Sequence, residues 1–328
     1  MDYRALFAGG PRFSTVGFGC GSIGGLFVRG DRRAQREAVD LAVAGGINYF
    51  DTAALYGEGE SEANLGRVLA ESGADVAVGT KITLDPADLA DPARAIREKL
   101  EAGLKRLRRE QVEVCSLHNV VRSGALRSSP RMLPPDAVRA AAEAMHTLRD
   151  AGLAGAIGFT ALGETSAIED VLDAGFQSMQ CYVNVLNPSA LRAGYPTGGG
   201  QDFGGIIETA ARAGIGTFAI RVLAGGALSG TIDRHSVASA EVSSGLGKSE
   251  YRSDVARAAA LAARAHEFGC ESAVELSLRF VLTQAPITSA VVGFSDTEQV
   301  RAALRWQERG PLPPEAVRQL TEDSEEPG

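Results

Sequence analysis

The sequence predicts an α/β protein of the (β/α)8 type, the TIM barrel. Short apolar runs alternate with amphipathic stretches along the whole chain, the pattern of parallel strands covered by helices. The amphipathic stretches repeatedly close on glycine, at Gly45, Gly152, Gly175, Gly214 and Gly269, the residue best suited to a left-handed helix end. Eight such strands in 328 residues suit a closed barrel better than an open sheet.

The elements follow in order. Thr15 to Gly19 reads as a strand and Arg33 to Ala44 as a helix. Ile47 to Asp51 is the second strand, followed by a helix from Glu62 to Leu69. Val76 to Thr80 and Pro92 to Leu107 form the third pair, with Lys81 just past the strand. Val112 to Leu117 is the fourth strand, and Pro and Asp open a helix from Pro135 to Ala151. Ala156 to Phe159 precedes a helix from Glu164 to Ala174, and Ser178 to Val183 precedes one from Phe203 to Arg212. Gly216 to Ile220 is the seventh strand, with helices at Asp254 to Phe268 and Ser272 to Leu282. Ser289 to Val292 and the helix Asp296 to Trp306 complete the pattern.

No composition shift marks a boundary, so residues 1–320 read as one barrel domain. Long loops are expected at 121–134, 186–205 and 224–252, where long loops are functional or disordered. Residues 321–328 read as an acidic, disordered tail. Apolar residues make up 45% of the chain and charged residues 23%, enough for a sizeable core in an ordinary soluble protein. The formal net charge of -8 argues against nucleic acid or an anionic membrane as a partner. Four widely spaced cysteines, Cys20, Cys115, Cys181 and Cys270, lack metal-ligand spacing and read as reduced, buried thiols. With no leader-like N-terminus and no long apolar run, the expected location is the cytoplasm.

The chemistry concentrates at strand ends, where barrels build their sites. Asp51 ends strand two, and Tyr56 follows on the glycine-bounded loop Gly57-x-Gly59. Lys81 follows strand three and His118 ends strand four. Thr160 ends strand five and Gln180 lies in strand six. Taken singly, Asp51 reads as a helix cap, Tyr56 and Lys81 as surface groups and His118 as a structural histidine. Together they make a device for moving a proton at a carbonyl or alcohol. A tyrosine with a pKa near ~10 is a poor acid–base group at neutral pH. Lys81 can favour its phenolate, Asp51 can hold Lys81, and His118 can align a substrate oxygen.

Asp51-x4-Tyr56-Gly57-x-Gly59-x-Ser61-Glu62-x2-Leu65-Gly66 resembles the signature of the aldo-keto reductases. Gly79-Thr80-Lys81, Leu117-His118-Asn119 and the stretch Pro286 to Gln299 share the resemblance, which runs from Val16 to about Ala303. The nearest likeness is to the bacterial aldose or galactose dehydrogenase branch. The resemblance implies that Asp51, Tyr56, Lys81 and His118 are the catalytic tetrad. It also implies a nicotinamide dinucleotide, NAD or NADP, lying extended across the barrel mouth, with a lean to NADP from family frequency. The implied contacts are Gly19, Cys20, Gly21, Asp51, Thr160, Gln180, Ile220, Arg221, Leu223, Gly293, Ser295 and Gln299. Asn119, Arg122 and Tyr195 are candidate substrate contacts, and no metal is implied.

The sequence departs from the family pattern at the cofactor. An asparagine usual after strand five is Ala161, and a stacking tyrosine after strand seven is replaced by Ile220 and Arg221. Ala302 and Ala303 stand where an acid–amide pair is frequent, and no Lys or Arg marks a 2′-phosphate site at Gly293 to Gln299. Asp296 is either a ribose contact or a helix cap. The leading expectation is an NAD(P)-dependent oxidoreductase acting on an aldehyde, ketone, sugar or secondary alcohol. A non-catalytic cofactor-binding regulatory subunit and a Lys81 Schiff-base aldolase on the same barrel are the alternatives.

Overall fold

The computed structural model describes residues 1–124, 130–242 and 248–322. Eight parallel strands close into a barrel: β1 Val16–Gly19, β2 Tyr49–Asp51, β3 Ala77–Ile82, β4 Val112–Leu117, β5 Ala154–Thr160, β6 Ser178–Tyr182, β7 Gly216–Ile220 and β8 Ile287–Gly293. Neighbours around the barrel are neighbours in sequence, and β8 closes on β1. Each strand is largely apolar on both faces because it is buried both inside the barrel and under the helices.

Strand alternation sorts the side chains. Phe18, Phe50, Val78 and Cys115 point outward into the large core beneath the helices. Tyr49, Val114, Ala156, Phe218 and Val291 point inward and form a separate plug. Successive inward positions lie two residues apart, so Tyr49 directs Asp51 to the interior above the plug. Tyr49 stacks on Phe218 with ring centroids 4.6 Å apart. Gly79 makes room for it: a Cβ there would lie 2.2 Å from the Tyr49 hydroxyl.

The lower end of the barrel is stoppered by an antiparallel hairpin, Tyr3–Ala5 with Arg12–Ser14, whose Leu6 and Phe13 join the inner plug. Nothing in the sequence pattern announced it, because three-residue strands carry too little alternation to read. Helices Arg32–Ala44, Pro92–Leu107 and Pro135–Asp150 lie within a residue of expectation. Gly66 lets helix Glu60–Ser72 approach its neighbour, since a Cβ would meet the Leu107 backbone at 2.5 Å.

Several boundaries differ. The helix expected from Glu164 to Ala174 is a short one, Thr165–Glu169. The helix expected from Phe203 starts at Ile206, because Gly204 and Gly205 have φ of 58° and 74°. Gly46, not Gly45, carries the left-handed conformation after the first long helix. A one-turn helix, Leu26–Arg29, does follow the glycine-rich first loop. The loop 121–134 contains a parallel two-residue ladder, Val120–Val121 with Met132–Leu133. Helix Lys248–Arg264 starts inside the expected loop 224–252. The chain's last described helix, Pro314–Glu322, takes in the first two residues of the expected tail, and 323–328 lie outside the described residues. No described helix is long and apolar enough to cross a membrane.

Candidate active site

The carboxyl ends of the strands surround a cavity of about 1550 Å³. That exceeds the ~300–1,000 Å³ of a site for one small ligand. Asp51, Tyr56 and His118 line it, as do Thr160 and Gln180. At its floor Lys81 is 1% exposed and Asp51 4%.

Lys81 belongs to β3 rather than following it, so the strand fixes its backbone and the barrel interior fixes its stem. Its ammonium spends all three donors: Asp51 Oδ2 at 2.5 Å, the Thr52 carbonyl at 2.8 Å and Tyr56 Oη at 3.2 Å. Burial works to lower the Lys81 pKa, but Asp51 and Tyr56 outweigh it and the net shift is upward. The lysine is therefore charged, its buried charge compensated by the Asp51 carboxylate and by hydrogen bonds on every donor. Asp51 is equally committed, because its Oδ1 accepts from Gln180 Nε2 at 2.5 Å and from the Tyr49 hydroxyl at 3.3 Å.

Tyr56 and His118 meet edge-to-face, with centroids 5.8 Å apart and planes at 89°. Burial raises the Tyr56 pKa more than the Lys81 charge lowers it, so the net shift is upward. The sequence argument, which weighed the ammonium alone, is corrected by that burial. The phenol holds its proton at neutral pH and has an ammonium ready to stabilise the phenolate. Burial, helped by the charges of Lys81 and Arg131, lowers the His118 pKa to about 3. A neutral imidazole offers one N–H and one lone pair, and its buried Nδ1 has no partner among the described residues.

Of the expected cofactor contacts, Gly19, Gly21, Asp51, Thr160, Gln180, Ile220, Arg221, Leu223, Gly293, Ser295 and Gln299 all line the cavity. Cys20 does not. Its N–H is bound to the Asp51 carbonyl at 2.8 Å and its carbonyl to Ser61 Oγ at 2.8 Å, which leaves it nothing to offer. Asp51 lines the cavity, but its oxygens already accept from Lys81, Gln180 and Tyr49. Ser295 Oγ donates to the Gly24 carbonyl at 2.7 Å, and Gln299 Oε1 accepts from Ser295 N–H at 2.9 Å. These two shape the wall more than they present free polar groups.

The residues fit a nicotinamide carboxamide. Thr160 Oγ1 is buried without a partner among the described residues, beside Gln180, its register neighbour on β6. Gln180 lines the cavity and gives its N–H to Asp51, which leaves its Oε1 as an acceptor for an amide N–H. Ala161 is buried, with its backbone N–H on the Gln180 carbonyl, so no side-chain amide replaces the usual one. Arg221 lies 5.4 Å over the Tyr182 ring, while Ile220 packs against the inner plug and lines the cavity.

Two expected substrate contacts are corrected. Asn119 is buried, and its amide bridges Leu84: Oδ1 accepts from Leu84 N–H at 2.9 Å and Nδ2 donates to Leu84 carbonyl at 2.8 Å. Tyr195 lies outside the cavity lining, whereas Tyr182 and Tyr251 line it together with Tyr56. Arg122 and Arg131 line the mouth; Arg122 pairs with Glu164 at 3.0 Å, and Arg131 has φ of 60°. Arg127 lies outside the described residues.

The sequence reading missed Tyr49 beneath Asp51, though a spacing of two on one strand was the available signal. It expected a long loop after β7, with Arg234 among the groups that could reach phosphates, but not that this loop packs against the loop after β1. Arg29 donates to the Val237 and Ser22 carbonyls, and Arg234 to the Ile23 carbonyl. Among the described residues, no cluster of His, Cys, Asp and Glu is placed to hold a metal.

Residues 15–325 match the aldo/keto reductase family model. The chain is 32% identical over 166 residues to the aldo-keto reductase YhdN of Bacillus subtilis, covering 48% of this chain and 46% of that one. It is 32% identical over 127 residues to the L-galactose dehydrogenase of Arabidopsis thaliana, covering 37% and 39%. The chain thus spans less than half the length of these curated relatives. Among solved structures, the holo form of aldo-keto reductase AKR11C1 from Bacillus halodurans superposes with a TM-score of 0.70 at 20% identity. The match covers 99% of this chain and 97% of that one, and at that identity the likeness speaks for the fold.

Proposed function

The chain belongs to the aldo/keto reductase family, and on that premise we propose that it is an NAD(P)-dependent oxidoreductase of carbonyls and alcohols. The observation that carries the reading is the buried chain Gln180–Asp51–Lys81–Tyr56, which opens into the cavity at Tyr56 and His118. A charged relay of that kind serves no packing purpose that apolar residues could not serve at less cost.

A reduced nicotinamide, when bound, supplies the hydride that no side chain can. Gln180 and Thr160 would hold its carboxamide, and Ile220 would lie against its ring. His118, kept neutral, donates an N–H to the substrate carbonyl oxygen and aligns it. Tyr56 donates its Oη proton to that oxygen as charge develops there. The Lys81 ammonium stabilises the phenolate left behind, and Asp51 keeps Lys81 charged and fixed. In the oxidative direction the same phenolate removes the hydroxyl proton.

The substrate class is an aldehyde, ketone, sugar or secondary alcohol, and the likeness to L-galactose dehydrogenase favours a polyhydroxylated one. The test is a scan of sugars and model aldehydes, following the near-ultraviolet absorbance of reduced nicotinamide. Turnover on at least one polyhydroxylated substrate is expected. Tight dinucleotide binding with no turnover on any would count against catalysis and favour a regulatory subunit.

A further inference from the structure

Part of the cavity, here its arm, is lined by the start of helix Thr297–Glu308 and the loop that follows β7. Asp233, Arg234, His235, Asp296, Glu298, Ala302 and Trp306 face it. On the dinucleotide reading above, on which this inference rests, the arm takes the adenosine half. Its charges are unfavourable to a phosphate on the adenosine ribose. Among the described residues facing the arm, Asp233, Asp296 and Glu298 carry negative charge, and Arg234 is already engaged. Arg234 donates to the carbonyls of Ser239 at 2.6 Å, Gly225 at 2.9 Å and Ile23 at 3.2 Å, and to Tyr251 Oη at 2.7 Å. His235 turns Nε2 toward Asp296 Oδ2 at 3.6 Å, so a protonated ring would meet that carboxylate first. Arg301 pairs with Glu298 at 3.4 Å and does not face the arm.

We propose that Asp296 and Glu298 select NAD(H) over NADP(H). Asp296 has two duties. Its Oδ1 caps the helix by accepting from Gln299 N–H at 2.8 Å, while its charge stands where a 2′-phosphate would bring a further ~1.5–2 negative charges. Ribose hydroxyls can donate to such a carboxylate, and a phosphate dianion cannot. The lean to NADP from family frequency is reversed by these residues.

The chain carries its own reporter, because Trp306 is its one tryptophan and faces the same arm. Titrating the full-length protein with NADH and NADPH in parallel, by quenching of Trp306, reads binding without turnover. NADH is expected to bind at least about tenfold tighter, a gap that shrinks as salt screens the carboxylates. Asp296→Asn combined with Glu298→Gln keeps a competent cap and should tighten NADPH several-fold while weakening NADH, so that the NADH-to-NADPH affinity ratio falls. Ala302→Arg, on the partly exposed helix face, should tighten NADPH further. Equal or tighter binding of NADPH by the wild type would overturn the proposal while leaving the dinucleotide reading intact. So would a ratio that neither variant moves. Binding of neither coenzyme would overturn both.

Discussion

The floor of the cavity and its adenosine-side arm are built on opposite plans. At the floor every polar atom of Asp51 and Lys81 is committed to another protein group, and both residues sit on barrel strands. In the arm the charged residues sit on loops and a helix start. Arg234 holds two loops together, and Asp233, Asp296 and Glu298 line the cavity, Asp296 and Glu298 with surface partners in His235 and Arg301. The floor is preorganised for one chemistry, since its charges are held where a developing oxyanion or phenolate would need them. The arm is free to change, because a loop carboxylate can be replaced without disturbing the barrel. A family can therefore keep its reaction while the choice of coenzyme drifts.

The largest effect that would break this contrast comes from Lys81→Met. Asp51 would be left buried without its partner, a loss of roughly 3–5 kcal/mol of stability, and kcat should fall by about a thousandfold or more. Combining it with Asp51→Asn should restore much of the stability in a thermal melt and none of the turnover. Recovery of turnover would mean that the pair is structural only.

His118 sharpens the contrast through pH. Its folded pKa of about 3 lies below its ordinary 6.5, so the unfolded chain takes up the proton first. The stability this adds is fully present above pH 6.5 and is lost as pH falls toward 3. Urea midpoints at pH 7 and pH 4 should differ less in His118→Gln than in the wild type. His118 should also leave no limb near pH 6.5 in the kcat profile of reduction. Tyr56, raised above its ordinary 10, should limit reduction only at strongly alkaline pH, where it loses the proton it must donate. A wild-type limb near 6.5 that disappears in His118→Gln would contradict the neutral assignment.

Gln180→Leu should have a smaller effect. A hydrogen bond to a charged group contributes about 1.5–3 kcal/mol, so kcat should fall about tenfold to a hundredfold, and dinucleotide binding should weaken with it. Loss of binding alone would confine Gln180 to the coenzyme. Asn119→Ala should be smallest at the site and visible mainly in stability, about 1–3 kcal/mol, because the variant strips both hydrogen bonds from the Leu84 backbone. A rise in KM with unchanged melting temperature would restore Asn119 as a substrate contact.

The floor was legible in the sequence because its chemistry lies on strands of regular spacing. Asp51, Lys81 and His118 follow short apolar runs, and parallel strands deliver such residues to one rim. Tyr49 was legible in principle, two positions before Asp51 on the same strand face. The commitments of Cys20, Asn119 and Arg234 were not, because each rests on backbone groups brought in by tertiary pairing: the Asp51 and Ile23 carbonyls, and both ends of Leu84. The lower hairpin and the one-turn helix after Gly25 were hidden by their length, since three or four residues establish no period. The pKa of Tyr56 had the wrong sign in the sequence because a charged neighbour can be read from a motif and burial cannot.

The most direct test of the central claim is Tyr56→Phe, assayed for dinucleotide binding through Trp306 and for turnover on the best substrate found. Removing one hydroxyl leaves the ring against His118 and the cavity wall intact. Unchanged coenzyme affinity with turnover reduced by about a thousandfold or more is the predicted result. Turnover near the wild-type level would contradict the account.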